Sequence, residues 1–192
     1  MAKQKNKVLF GFSDLYIGTY EADADGVVTL GAPYHQAGAV GFSPEDNAEK
    51  SDFFADNVAY FTAYSSGTRE GDLVVAMYDD DFKTQFLNYV KLDDGGLAQI
   101  KNARTPNVYV AFEVQGDIEP LRVIMYNGSL GSINREYNTL EDTKTPVTES
   151  IATTFVGDKK TGITTVSYHP DDEGYATLFT NPPVPTLPEE SE

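Results

Sequence analysis

The groups of this chain that could do chemistry are carboxylates and two imidazoles, since it contains no cysteine. Disulfides, thiolate metal sites and cysteine nucleophiles are thereby excluded. His35 and His169 each stand without a sequence-local nucleophile or ligand cluster, so both read as surface or structural histidines. His169-Pro170-Asp171-Asp172 offers an imidazole and two carboxylates, but the spacing matches no ligand pattern and reads as a turn. Glu21-Ala22-Asp23-Ala24-Asp25-Gly26 imitates the opening of an EF-hand loop, with acids at alternate positions and then glycine. The place of the closing bidentate glutamate is taken by Ala32, and no helix flanks the segment. An acidic β-turn is therefore preferred to a calcium site at Glu21, Asp23 and Asp25, and neither metal nor cofactor is expected. Asp79-Asp80-Asp81 reads as a helix cap with a negative first turn before it reads as an ion site. No phosphate loop, dinucleotide fingerprint, nucleophile elbow or zinc-protease helix occurs, so the chain is not expected to be an enzyme.

The charge narrows the partners. A formal −16 and a pI near 4.3 oppose nucleic-acid affinity of the usual kind, which comes from neutralising phosphates with Lys and Arg. The same balance suits a surface that DNA must pass without adhering, as well as ordinary solubility. At the start, Lys3, Lys5 and Lys7 precede the apolar run Val8-Leu9-Phe10, which falls short of the roughly 7–15 residues of a signal-peptide core. No segment approaches the roughly 20 apolar residues of a membrane span. The expectation is a protein made in a cytoplasm, without an export signal of its own and without a membrane partner.

Positioning these residues falls mainly to strands. With 12 Tyr, 11 Phe and no Trp, beside many Val and Thr, the composition favours β-structure. Strands are expected at Val27–Leu30, around Ala39–Phe42 ending at Ser43-Pro44, at Leu73–Tyr78, and at Asn107–Gln115. In the last of these, Val108, Val110, Phe112 and Val114 oppose Tyr109, Ala111, Glu113 and Gln115. Leu121–Tyr126 is its antiparallel partner, and Ser150–Val156 and Gly162–Tyr168 follow, separated by a polar turn. Asp93-Asp94-Gly95-Gly96 is a hairpin turn. Phe82, Phe86, Tyr89 and Val90 at i, i+4, i+7 and i+8 predict one helix over about 80–89. The fold class is mainly β: an antiparallel β-sandwich or barrel with one edge-packed helix and extended arms at both ends. Residues 1–180 are expected to form one domain, with 1–12 as its N-terminal arm and 181–192 as a Pro-rich acidic tail.

Ser51 to Phe82 organises the rest. Phe53 and Phe54 lead to a turn at Asp56-Asn57, and Val58–Tyr64 follows as a strand apolar on both faces. Val58, Tyr60 and Tyr64 point one way, and Ala59, Phe61 and Ala63 the other. Such a strand must be sandwiched by something, either its own core or a neighbouring subunit.

In this stretch, and at Lys5-Asn6-Lys7-Val8-Leu9-Phe10-Gly11, the sequence resembles the major tail tube proteins of long, flexible-tailed bacteriophages (siphophages) of Gram-positive bacteria. Phe54-Ala55-Asp56-Asn57-Val58-Ala59-Tyr60 carries the likeness, as do Glu70-Gly71-Asp72-Leu73 leading into Asp80-Asp81-Phe82 and the strand pair ending at Tyr126-Asn127. It runs over roughly residues 3 to 170. The resemblance implies a β-sandwich virion protein that forms hexameric rings, stacked into a tail tube through which double-stranded DNA is ejected. It implies no catalytic residues. Its partners would be other copies of itself and the tape measure, tail terminator and distal tail proteins, with DNA passing unbound. An extended hairpin over about 46–68 would leave its own subunit, with Phe53, Phe54, Tyr60, Phe61 and Tyr64 as interface anchors. Lys3, Lys5 and Lys7 would meet acids of a neighbour, Glu189, Glu190 and Glu192 being candidates. The rival reading is a β-sandwich binding module that offers Tyr and Phe to a glycan. A third is the related tube protein of a contractile or secretion system.

Overall fold

A computed structural model describes residues 6–188 except 49, 56–57, 65–66, 102 and 140–145. In chain order the first strands are β1 (Leu9–Ala22), β2 (Val28–Leu30), β3 (Tyr34–Gln36), β4 (Ala39–Phe42) and β5 (Glu45–Asp46). Next come β6 (Lys50–Ala55), β7 (Val58–Tyr64), β8 (Arg69–Val75) and the helix α1 (Asp80–Phe86). The second half holds β9 (Val90–Lys91), β10 (Leu97–Ala98), β11 (Val108–Gly116), β12 (Leu121–Arg135), β13 (Glu149–Phe155), β14 (Thr165–Tyr168) and a second helix, α2 (Glu173–Thr177).

Ten strands make one antiparallel sheet, ordered β2-β1-β11-β12-β13-β8-β4, with β3 on β1, β14 on β12 and β5 on β8. The sheet curls until β4 meets β1, and the enclosed layer is the main core. Leu15, Ile17, Leu73, Val75, Val108, Val110, Ile151 and Phe155 fill it, and α1 closes it with Phe82 and Phe86. A second apolar layer lies on the other side of β1, β11 and β12. It is built from Tyr20, Tyr109, Ala111, Ile124, Tyr126 and Leu178. The strict alternation along β11 is thus an alternation between two cores, and both of its faces are buried.

The triple aspartate is a cap. Asp79 Oδ1 accepts the Phe82 backbone N–H at 2.7 Å and the Tyr34 hydroxyl at 2.6 Å, while Asp80 pairs with Lys83 at 3.1 Å. Burial first, and then the bond to Asp79, push the Tyr34 phenol above its ordinary value. The helix ends at Phe86, short of the expected Tyr89, because Asn88 takes a left-handed φ of 53° and turns the chain away. Tyr89 still packs on the core from outside the helix.

Alternation in β8 also stops early. Leu73 and Val75 are buried as expected, but Met77 is exposed and Tyr78 is fully buried. The strand has ended by then. Ala76 N–H is taken by the Gly38 carbonyl and Tyr78 N–H by Glu149 Oε2 at 2.8 Å, which reverses the phase of the chain.

The described parts of both arms, residues 6–12 and 181–188, are fastened. Residues 9–12 begin β1, with Leu9 opposite Gly116 and Phe12 opposite Val114. Ahead of them, Asn6 Oδ1 accepts the N–H groups of Ile118 and Glu119, and Asn6 Nδ2 donates to the Glu119 carbonyl at 2.8 Å. At the other end, α2 and Phe179 are clamped by Arg122. Its Nε donates to Glu113 Oε2 at 2.9 Å, and its guanidinium lies 4.1 Å from the Tyr175 ring centroid and 4.2 Å from that of Phe179. Pro182 and Pro185 are buried, and the Tyr126 hydroxyl donates to the Pro183 carbonyl at 2.8 Å. Helix α2 had no sequence signal: its five residues include a glycine and bury no side chain fully.

Asp158 fastens the turn before β14. It is 3% exposed and accepts bonds from Tyr20 Oη at 2.6 Å, Thr161 N and Oγ1 at 2.7 Å each, and Lys160 N at 3.2 Å. Burial alone would raise its pKa, but these four donors together hold it below the usual carboxylate value. Since the folded pKa lies below the unfolded one, this contribution is complete above the ordinary carboxylate pKa. It is lost as pH falls through the depressed value. Asp158→Asn should therefore destabilise by about 1–2 kcal/mol near neutrality. In urea melts from pH 7 to pH 3, the gap between the variant and the parent protein should close towards acid.

Candidate assembly surface

Strands β6 and β7 form a two-stranded sheet of their own, outside the ten-stranded one. They prolong a ribbon that starts at the sheet edge. Glu45 and Asp46 pair with Glu70 and Arg69, Asn47 N–H bonds the Thr68 carbonyl at 2.8 Å, and Lys50 then lies opposite Tyr64. Where the ribbon leaves the body, Gly71 passes so near the chain that a Cβ would sit 2.4 Å from the Ser43 carbonyl oxygen and 2.9 Å from Pro44 Cα. Backbone cannot yield as a side chain can. Gly71→Ala should cost about 1–3 kcal/mol, visible as a lower urea midpoint at unchanged slope.

Within the ribbon Phe53 pairs with Phe61, and a bulge follows before Phe54 pairs with Ala59. Thr62 Oγ1 donates to Asp52 Oδ1 at 2.7 Å and Lys50 Nζ lies 2.8 Å from Asp52 Oδ2, which pins the register. The lysine first, and then the threonine, lower the Asp52 pKa. Beyond these contacts, among the described residues, the ribbon packs against no other strand or helix to a comparable extent.

Tyr60 is 77% exposed and Phe61, on the opposite face, 61%. Val58 is likewise exposed. At these described side chains neither face is covered by the chain's own core. The side chains of Phe53, Phe54 and Tyr64 lie outside the described residues, as does the expected turn at Asp56-Asn57. An isolated two-stranded ribbon is at best marginally stable in water, so this one calls for a packing partner.

The other singled-out residues are scattered. Asp23 Oδ1 accepts the N–H groups of Asp25 and Val27 at 2.9 and 2.8 Å, which closes the β1–β2 turn, while Glu21 sits in β1 opposite Thr29. Among the described residues no group of three His, Cys, Asp or Glu is placed to hold a metal. His35 packs its ring 4.9 Å from Tyr16, and His169 Nδ1 lies 2.8 Å from Glu119 Oε1. Lys7 is exposed and its backbone N–H donates to Asp117 Oδ1 at 2.9 Å; Lys3, Lys5, Glu189, Glu190 and Glu192 lie outside the described residues. No described helix is long and apolar enough to cross a membrane.

Among the described residues two of the shallow grooves matter here, and sequence reasoning missed both because their walls come from distant segments. One, of about 610 Å³, adjoins the ribbon's root and carries Glu45, Glu70 and Asp72 beside small residues such as Gly41 and Ala152. Glu45 stands directly opposite Glu70 there, an unfavourable like-charge pair. The second, of about 520 Å³, is lined by Leu87, Tyr89, Ile100, Lys101 and Ala103 with Leu130 of β12.

No family model matches the sequence, and no curated protein matches it. Solved structures do. A chain of the extended sheath–tube complex of an extracellular contractile injection system (PVC) superposes with a TM-score of 0.50 at 8% identity, covering 85% of this chain and 93% of that one. A chain of the anti-feeding prophage cap, the tube-terminating cap, gives a TM-score of 0.50 at 8% identity, covering 88% and 99%. At that identity the likeness is one of fold alone.

Proposed function

We propose that this chain is a structural subunit that assembles into rings stacked as a hollow tube. The observation that carries the reading is the β6–β7 ribbon, with exposed aromatic side chains on opposite faces and no core of its own chain against it. Apolar surface of this kind is stable in water when neighbours cover it. Within that class the reading is the major tail tube protein of a long non-contractile phage tail, with hexameric rings. Residues 1–180 would serve as one tube domain, and the particle would be assembled in the host cytoplasm. The net charge of −16 suits a conduit for DNA, since carboxylates along a lumen repel phosphates. The ribbon's Phe53, Phe54, Tyr60, Phe61 and Tyr64 would anchor subunit contacts. Lys3, Lys5 and Lys7 would offset like-charge repulsion between copies, which is screened over about 8 Å at physiological salt. Tape measure, terminator and distal tail proteins would be the further partners.

A second reading, the tube of a contractile injection system, is favoured by the fold likeness to chains of a contractile sheath–tube complex and of a tube-terminating cap. The two differ in whether a sheath surrounds the tube.

Negative-stain microscopy of the purified protein over a range of concentration and salt tests the common part. Uniform hollow filaments or stacked rings are expected. A protein that stays monomeric throughout and titrates with a glycan would overturn the proposal in favour of a binding module.

A further inference from the structure

We propose that the groove between the C-terminal end of α1, the segment that follows β10, and β12 receives the β6–β7 ribbon of a second copy of this chain. The inference rests on the assembly reading above and names the contact that would build the tube.

The first argument is apolar complementarity. Tyr60 and Phe61 have no cover within their own chain. At the groove, Ile100 is 49% exposed, Val90 and Leu92 on the adjoining hairpin are exposed too, and Leu87 and Leu130 form the apolar floor. A groove of about 520 Å³ is large enough for an aromatic side chain and its neighbours.

Charge selects this groove over the other. Between residues 45 and 64 the ribbon and its root carry five acids, Glu45, Asp46, Glu49, Asp52 and Asp56, against the single Lys50. The groove at the ribbon's root presents Glu45, Glu70 and Asp72 and would repel a second acidic ribbon. The distal groove holds Lys101 in its wall. With Lys83 buried and paired to Asp80, residues 87–104 carry Lys91, Lys101 and Arg104 against Asp93 and Asp94, a slightly positive stretch in a chain of net charge −16. An acidic ribbon with aromatic faces thus meets an apolar floor with a basic rim, the pairing that steers association and fixes register.

Ribbon and groove are different surfaces of one chain, so the contact is heterologous. Such a contact repeats head to tail instead of closing into a two-fold dimer, giving a ring where the rotation closes and an open stack where it does not.

The chain has no native cysteine, so single cysteines report without background. Val58→Cys and Ile100→Cys, both at exposed positions outside the named aromatic anchors, are mixed under assembly conditions and oxidised, with Val58→Cys plus Ala152→Cys as the control for the acidic groove. The 58–100 disulfide should form at least about tenfold faster than 58–152, the ratio a preference of about 1.4 kcal/mol produces. Filaments that form while 58–152 links as fast or faster would overturn the groove assignment and leave the tube reading standing. Filaments with neither link would do the same. Absence of any assembly by the parent protein would overturn both. Lys101→Glu with Arg104→Glu should raise the protein concentration needed for assembly, and more so at low salt; an unchanged threshold counts against the basic rim.

Discussion

Replacing Tyr60 and Phe61 together by aspartate should abolish filament and ring formation and leave a folded monomer. Each aromatic side chain is exposed in the monomer, so nothing in the core is lost. Covering either at a contact is worth about 1.5–3 kcal/mol, and a buried carboxylate without a partner adds a further penalty. Together these amount to well over a hundredfold in the association constant of each contact. Because every copy would make the contact, the losses multiply along a tube. The variant should elute as a monomer with the parent protein's circular dichroism and melting behaviour. Collapse of the fold would show that the ribbon is part of the monomer core, and unaltered filaments would remove it from the interface.

Glu149→Ala should give the largest loss of monomer stability. Its carboxylate is 3% exposed; Oε2 accepts the Tyr78 N–H and Oε1 pairs with Arg135. Truncation leaves a buried N–H without an acceptor and a partly buried guanidinium without its counter-charge. The first costs about 1–3 kcal/mol. The second adds less than a fully buried pair would, because Arg135 is 35% exposed. A total of about 3 kcal/mol corresponds to a melting temperature lower by about 6–12 °C in a chain of this length. Glu149→Gln keeps an acceptor for Tyr78 and loses the ion pair, so roughly half the loss is expected. Equal losses for both variants would assign the whole effect to the charge, and a loss under about 0.5 kcal/mol for alanine would refute the bonding described.

Much of the architecture was legible because it obeys local rules. The alternation of Val108, Val110, Phe112 and Val114 marked β11, and Ile151, Thr153 and Phe155 face inward in β13 as their spacing predicts. Asp79 caps its helix by the same logic, and Asp93-Asp94-Gly95-Gly96 turns a hairpin with Gly95 at a φ of 87°. The two-faced apolar pattern of Val58–Tyr64 likewise said that this strand lacks a single core side.

What the chain's order of residues could not decide were the outcomes of contacts between distant segments. Helix α1 stops at Phe86 because the chain turns at Asn88. The buried tyrosine after β8 is Tyr78, out of phase with its strand, because Glu149 from 71 residues away takes its N–H. The Pro-rich end docks because Tyr126, and α2 before it because Arg122, wait on a sheet that local reading cannot assemble. By itself the sequence determined which residues are apolar and in what period, and hence the strands, the caps and a ribbon strand apolar on both faces. Tertiary structure alone decided that the exposed Tyr60 and Phe61 stand clear of their own core, and that a groove with Lys101 in its wall lies elsewhere on the body. Both are properties of surfaces, and a surface exists only once segments far apart in sequence have met.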